Sequence, residues 1–242
     1  MSYSARKIIC FALGGCALAL TATTSAMAQD YKVNLRALNH SGVTGKGSLT
    51  LSPDKTQLTV RIDATGLEKN QVHVGHIHGL VASGNEPADS SIPSPQQDSD
   101  RDKFVELDEG GVTYGPILIT LGTDNGGNLD PDGDGTIHYE QTFNLNDAGI
   151  YADTFNKMSV IGSGNSLQLR EIIVHGLTVP AVGVAPGEVD GTAGYKTVLP
   201  VAGGEIGTAG DALKFKMAPG GHKARSGGWR GPAVRRRRFG PA

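Results

Sequence analysis

The chain of 242 residues reads as all-β, a Greek-key-like β-sandwich with long acidic loops and a disordered basic C-terminal tail. Three observations predict this class. Apolar and polar residues alternate over several runs of strand length, the period of a half-buried strand. The 35 glycines fall mainly between those runs, where turns and tight loops belong. No long stretch keeps the 3.6-residue period of a helix.

Residues 1–28 read as a secretory signal. Arg6 and Lys7 form the positive start, Ile8 to Leu20 the apolar stretch, and Ala26-Met27-Ala28 a small-residue cleavage site. The stretch is shorter than the roughly 20 apolar residues that span a bilayer, so no transmembrane segment is expected. Leu13-Gly14-Gly15 ahead of Cys16 also fits a lipid-attachment site. The apolar run continues past Cys16, which fits cleavage after Ala28 better. The expected location is periplasmic or secreted. Both cysteines, Cys10 and Cys16, fall inside this leader, so the mature chain carries no thiol. That removes a disulfide framework, a cysteine zinc site and thiol catalysis together.

Residues 29–217 form one domain, long enough for a sizeable core. Tyr31 to Leu38 and Gln57 to Ala64 alternate apolar with polar. Gly47 to Leu51 lies between them, and Ser52-Pro53-Asp54-Lys55 is a turn into the next run. Val72 to Leu80, Ile117 to Leu121, Thr136 to Leu145, Leu167 to Val174 and Tyr195 to Val201 are further strand candidates. Asn146 to Met158, capped by Asn146 or Asp147, is the best helix candidate. From Ala218 the chain turns glycine- and arginine-rich and ends in Arg235 to Arg238. Such a composition buries no core, so residues 218–242 read as a disordered tail. Its charge suits an anionic surface, and the plainer reading is a solvated tail. The domain itself is acidic, with 13 Lys+Arg against 24 Asp+Glu over residues 29–217, a net −11. That balance favours hard cations over phosphates, and no nucleic-acid partner is expected.

Four of the seven histidines lie in two strand-like contexts, His73-Val74-Gly75-His76-Ile77-His78-Gly79 and Ile173-Val174-His175-Gly176. An H-x-H in a strand puts two imidazoles on one face, roughly 6.5 Å apart. A third histidine from another strand would complete the three-nitrogen set that zinc and copper favour. The alternative is hydrogen-bonded core histidines without an ion. His138 is the next ligand candidate after His73, whereas His40 and His222 read as solvated.

Two acidic runs have calcium-loop spacing. Asp98, Asp100 and Asp102 occupy places one, three and five, Phe104 supplies the carbonyl of place seven, and Glu109 falls at twelve. Place six should be glycine and is Lys103. No flanking helices are evident from the sequence. Asp130, Asp132 and Asp134 begin a second such run, whose twelfth place is Gln141 and which leads directly into a strand. A solvated acidic loop explains the first run, and a hairpin turn the second, without an ion.

Gly66-Leu67 and His76-Ile77-His78-Gly79 resemble a CHRD (chordin-type) domain, whose hallmark includes an H-I-H-G strand. The likeness to exported bacterial proteins of this type extends to Asp98 to Asp102, Tyr114-Gly115-Pro116-Ile117, Asp134-Gly135-Thr136, Ile173 to Gly176, Leu199-Pro200-Val201 and Gly204-Glu205-Ile206. It covers most of residues 57–206. The spacing of His73, His76 and His78 is also similar to the copper-binding strand of copper/zinc superoxide dismutases, and Arg170 to His175 to their later ligand strand. That resemblance implies His76, His78 and His175 as copper ligands, with His73 supporting them by packing or hydrogen bonding. We find no counterpart of those enzymes' bridging histidine, zinc cluster, disulfide or guiding arginine, so the resemblance implies binding before catalysis.

Nucleophilic catalysis has no foothold. There is no G-x-S-x-G elbow, and Ser163 between two glycines reads as a turn residue. The leading expectation is a non-enzymatic exported CHRD-like binding module, with calcium in its acidic loop and copper or zinc at its histidines. A divergent copper superoxide dismutase comes second. An adhesion protein of the envelope or matrix, held through its basic tail, comes third.

Overall fold

A computed structural model describes residues 26–122, 127–164, 166–180 and 193–208. The expected leader up to residue 25 and the basic tail at 218–242 lie outside the described residues. The all-β class holds. Long strands are β1 (Gln29–Ala37), β2 (Thr44–Leu51), β3 (Gln57–Thr65), β8 (Thr136–Asn144), β9 (Glu171–Val179) and β10 (Gly194–Glu205). Shorter ones are β4 (Gly75–His78), β5 (Leu80–Val81), β6 (Pro87–Ala88), β7 (Ile117–Thr120) and β11 (Gly207–Thr208). Two short helices, α1 (Leu107–Tyr114) and α2 (Lys157–Ile161), sit in the connections.

One antiparallel sheet runs in the order β7-β4-β9-β10-β1-β2-β3-β8, and β5 pairs only with β6. It curls through β1. Residues Gln29 to Leu35 of that strand pair with β2, Arg36 and Ala37 pair with β10, and β11 returns to Tyr31 and Lys32. The alternation read from the sequence is the cause of the curl's buried side. Tyr31, Val33 and Leu35 of β1 point inward, as do Leu58, Val60, Ile62 and Ala64 of β3. They share one cluster with Ile77, Leu118, Ile119, Ile172, Val174 and Val201 from the other half. Burying an aliphatic side chain of this size contributes roughly 1.5–3 kcal/mol, enough to fix which face of each strand turns in.

The Ser52 to Lys55 turn forms as expected, closed by Lys55 N–H to Ser52 O and Ser52 N–H to Gln57 O. The expected helix over Asn146 to Met158 does not. Asp147 caps only a single 3-10 turn, Ala148–Ile150, and α2 starts later, at Lys157, behind an Asn156 cap. Helix α1 was not legible as a helix, because its residues include two glycines and leave Leu107 and Val112 exposed. The run from Leu167 also opens with a 3-10 turn (Leu167–Leu169) and becomes strand only at Glu171. No helix among the described residues is long and apolar enough to cross a membrane.

Candidate metal centres

Strand β4 lies between β7 and β9, so both of its edges are paired and its side chains alternate between the two faces of the sheet. His76 pairs with Ile173 and His78 with Glu171, which places His76 and His78 on the face that also carries His175 of β9. One ligand atom from each of the three rings lies within 4.8 Å of the others. His78 and His175 are buried at 1% exposure, and His76 is half-buried.

The backbone fixes which nitrogen each ring offers. A carbonyl can only accept, so His78 donates its Nδ1 proton to Gly115 O at 2.9 Å, and His175 donates its own to Val198 O at 2.7 Å. Both rings therefore turn an unprotonated Nε2 into the cluster. His76 presents Nδ1. All three atoms are enclosed and have no hydrogen-bond partner. Val198 can reach His175 because β10 slips register on either side of Pro200, the residue opposite His175. Such irregularities re-aim groups that a regular ladder would keep in the sheet.

Electrostatics keep the trio ready for an ion. Burial, and then His78, push His76 down to about 3. Burial pushes His78 down to about 4, against the pull of the Gly115 and Pro116 carbonyls. His175 lies well below the usual imidazole range, through burial and then its two partners. Three neutral nitrogens with no thiolate and no carboxylate suit zinc or copper. An ion holding tetrahedral nitrogens at about 2.0–2.1 Å spaces them about 3.4 Å apart, so the rings need close by about 1.4 Å at most.

His73 stands behind the trio. Its Nδ1 faces His175 O at 3.2 Å and its Nε2 faces Glu68 O at 2.9 Å, so each nitrogen sits against a backbone carbonyl, and the neutral ring donates to only one of them. His138 lies on β8, exposed, against Asp63 at 3.1 Å, away from the trio. His40 is exposed in the turn after β1.

Two further residues explain the motif's neighbours. Arg170 is fully buried and donates to the carbonyls of Leu80, Ala88, Ser159, Val160 and Leu169, tying β5, β6 and α2 together. Gly79 closes the H-I-H-G run because any side chain there would run into Arg170, whose Cζ lies 2.8 Å from the position of a Cβ. Burial brings Arg170 down to about 10. Glu171, also buried, accepts from Ser90 Oγ at 2.6 Å, and burial lifts its carboxyl to about 8. The sequence offered no signal for this pair beyond two charges in an apolar run.

The first acidic run forms a second cluster. Ligand oxygens of Asp98, Asp100 and Asp102 lie within 4.8 Å of one another. Arg101 and Lys103 adopt left-handed backbone, φ 68° and 82°, so the sixth place winds as a calcium loop requires although it is not glycine. Asp98 accepts from the Arg101, Asp102 and Lys103 amides. Asp102 is 1% exposed, and its Oδ2 has no partner. Glu109 is not gathered with them. It sits at the third position of α1, accepts from Ser99 N and Oγ, and reaches back to Glu106 N. At the other end of α1, Tyr114 packs edge-on against His78 at 4.7 Å, and Gly115 holds that ring's Nδ1. One helix thus touches both clusters.

The second acidic run is not gathered. Asp130 is buried and accepts from the Asp134 and Gly135 amides, while Asp132 and Asp134 are exposed and Asp134 accepts from Thr136 N. It forms the tight turn into β8. Every enclosed side-chain polar atom without a partner among the described residues is on His76, His78, His175, Asp102 or Glu106. Leaving such an atom unpaired costs about 1–3 kcal/mol, so five of them in two places single out two groups of side chains that could hold an ion.

No protein-family model matches this chain, and no curated protein matches it.

Proposed function

We propose that this protein is an exported metal-binding module of CHRD type and not an enzyme. Its His76, His78 and His175 would hold copper or zinc, and its Asp98 to Asp102 loop would hold calcium. The observation that carries the reading is the convergence of three enclosed, unpartnered ring nitrogens. The H-I-H-G resemblance supports the family. β1 opens at Gln29, the first residue after the expected cleavage point, which supports export.

One observation favours the second reading, a copper dismutase-like enzyme. His76 is half-buried while its two partners are closed off, which leaves one side of the trio nearest to solvent. Catalysis at a three-histidine centre needs such an open position.

Elemental analysis of the full chain purified from an exporting host, beside a His76→Ala/His78→Ala variant, tests the binding reading. About one equivalent of copper or zinc, lost in the variant, is the expected result. Calcium alone, unchanged in the variant, would make the trio structural. A superoxide assay on the copper-loaded chain separates module from enzyme, and the module reading expects no rate above free protein.

A further inference from the structure

A pocket of about 590 Å³ lies between the end of β1, the segment 92–105 and β10. That volume falls within the roughly 300–1,000 Å³ of small-molecule sites. Its apolar walls are Leu38, Ile92, Pro93, Val105 and Pro200. Pro93, Val105 and Pro200 are buried, whereas Leu38 and Ile92 stay half-buried. Gly203 lets these two close onto the sheet, because a Cβ there would meet Ile92 Cγ2 at 3.1 Å and Leu38 Cδ1 at 3.2 Å. Three basic residues, Arg36, His40 and Lys103, line the same space, and Asp98 is the one acidic residue that does.

We propose that this pocket binds a small organic monocarboxylate. Its hydrocarbon part lies on Leu38, Ile92, Val105 and Pro200, and its carboxylate meets Arg36 and Lys103. Such a ligand requires neither cation site to be filled.

Charge selects the head group. The domain is acidic overall, so a pocket lined by an arginine and a lysine against one carboxylate reverses the sign of its surroundings. Arg36 and Lys103 are exposed and form no ion pair among the described residues. The Asp98 carboxylate is engaged by the Arg101, Asp102 and Lys103 amides. Its charge works against a dianion, so a single carboxylate fits better than a phosphate monoester. A guanidinium grips a carboxylate through two parallel N–H···O bonds, and the lysine adds a point charge.

The walls are already in place. Asn39 donates from Nδ2 to Val105 O and Pro200 O, both at 3.0 Å, and accepts from Val105 N at 2.7 Å. One side chain thus ties three sides of the pocket together. Ser94 donates its N–H and its hydroxyl to Gln97 Oε1, at 2.8 and 2.9 Å, which fixes the turn after Pro93. Walls set before binding lose little conformational freedom when the pocket fills. Leu38 and Ile92 gain burial at that point, and the gain grows with the apolar area covered.

Calorimetry and amide NMR of octanoate added to the full chain, dialysed free of metal, test the pocket. Octanoate should bind with a Kd below about 1 mM, and the Leu38, Asn39, Ile92 and Val105 amides should shift together. Octanol keeps the hydrocarbon and loses the charge, and should bind at least about fivefold more weakly. Arg36→Gln and Lys103→Gln should each weaken octanoate about threefold and change octanol less than about twofold. Both side chains are exposed, so the melting temperatures should hold. No movement of those amides at about 5 mM octanoate, or movement centred elsewhere, would overturn the site. Octanol bound as tightly as octanoate, or octanoate bound equally by both variants, would overturn the carboxylate as its ligand.

Discussion

Zinc affinity at the His76, His78 and His175 centre should be nearly independent of pH between 7.5 and 5. A proton competes with the metal for each ring nitrogen. An ordinary imidazole with a pKa of about 6.5 is roughly 97% protonated at pH 5, which costs about 30-fold in affinity per ring. Three such rings lose about four orders of magnitude between pH 7.5 and 5. In this centre burial has already driven the protons off. With His76 at about 3 and His78 at about 4, only His78 is protonated to any extent at pH 5, by about one part in ten. His175 lies lower still than the usual range and adds nothing. The expected change is therefore less than twofold. Calorimetry with zinc at pH 7.5, 6 and 5, using His76→Ala/His78→Ala as the blank, reads it directly. Repeating the titration in buffers of different ionisation enthalpy counts released protons, and the count should stay near zero. A loss beyond 100-fold, or release of two to three protons at pH 5, would refute the reasoning. The same displacement weakens the metal-free fold in acid. The unfolded chain takes up protons below its ordinary 6.5 while the folded rings do not, so stability falls as pH drops from 6.5 towards 4. The slope is at most about 1.4 kcal/mol per pH unit for each ring. Melting curves across this window guard against reading unfolding as lost affinity.

Glu171→Gln keeps the Ser90 hydrogen bond and removes a buried carboxyl held at about 8. Folding forces a proton onto Glu171 that the unfolded chain releases above its ordinary 4.5, so the wild type is favoured below 4.5 and loses stability as pH rises towards 8. The variant should gain about 2–3 kcal/mol at pH 7.5 and nothing at pH 4, read from denaturant midpoints; equal stability at both would contradict it. Arg170→Met leaves the carbonyls of Leu80, Ala88, Ser159, Val160 and Leu169 without their donor, and should cost at least about 3 kcal/mol. A loss under about 1 kcal/mol in the same assay would show that those segments hold together without it. Gly176→Ala puts a Cβ against Tyr195 Oη and 2.7 Å from His73 Nδ1 on backbone with φ 116°. It should cost roughly 2 kcal/mol or more and lower zinc affinity through His175; an unchanged melting temperature would sink that account.

The strands were legible because burial alone dictates them. Val33 and Leu35, or Leu58, Val60 and Ile62, can face the core only if the backbone alternates. The trio was legible for a related reason, since H-x-H in such a strand can place both rings on one side. What the sequence concealed depends on contacts distant along the chain. The choice between Nδ1 and Nε2 is made by Gly115 and Val198, and Val198 is available only through the irregularity around Pro200. Helix α1 lacks an apolar stripe, and its start is fixed by the reciprocal capping of Glu106 and Glu109, which the sequence does not announce. Glu109 fitted a calcium spacing that local capping then claimed. Asp130 to Asp134 fitted the same spacing, and the amides of a tight turn claimed Asp130 instead.

The central claim is that one transition-metal ion sits on three particular nitrogens. Proton–nitrogen correlation spectra of the histidine rings, recorded before and after one equivalent of zinc, test it most directly. His76 Nδ1, His78 Nε2 and His175 Nε2 should move together from free lone-pair values to metal-bound values, while His73 and His138 stay in place. A trio that does not move, or a zinc-bound signal from His73, would contradict the account.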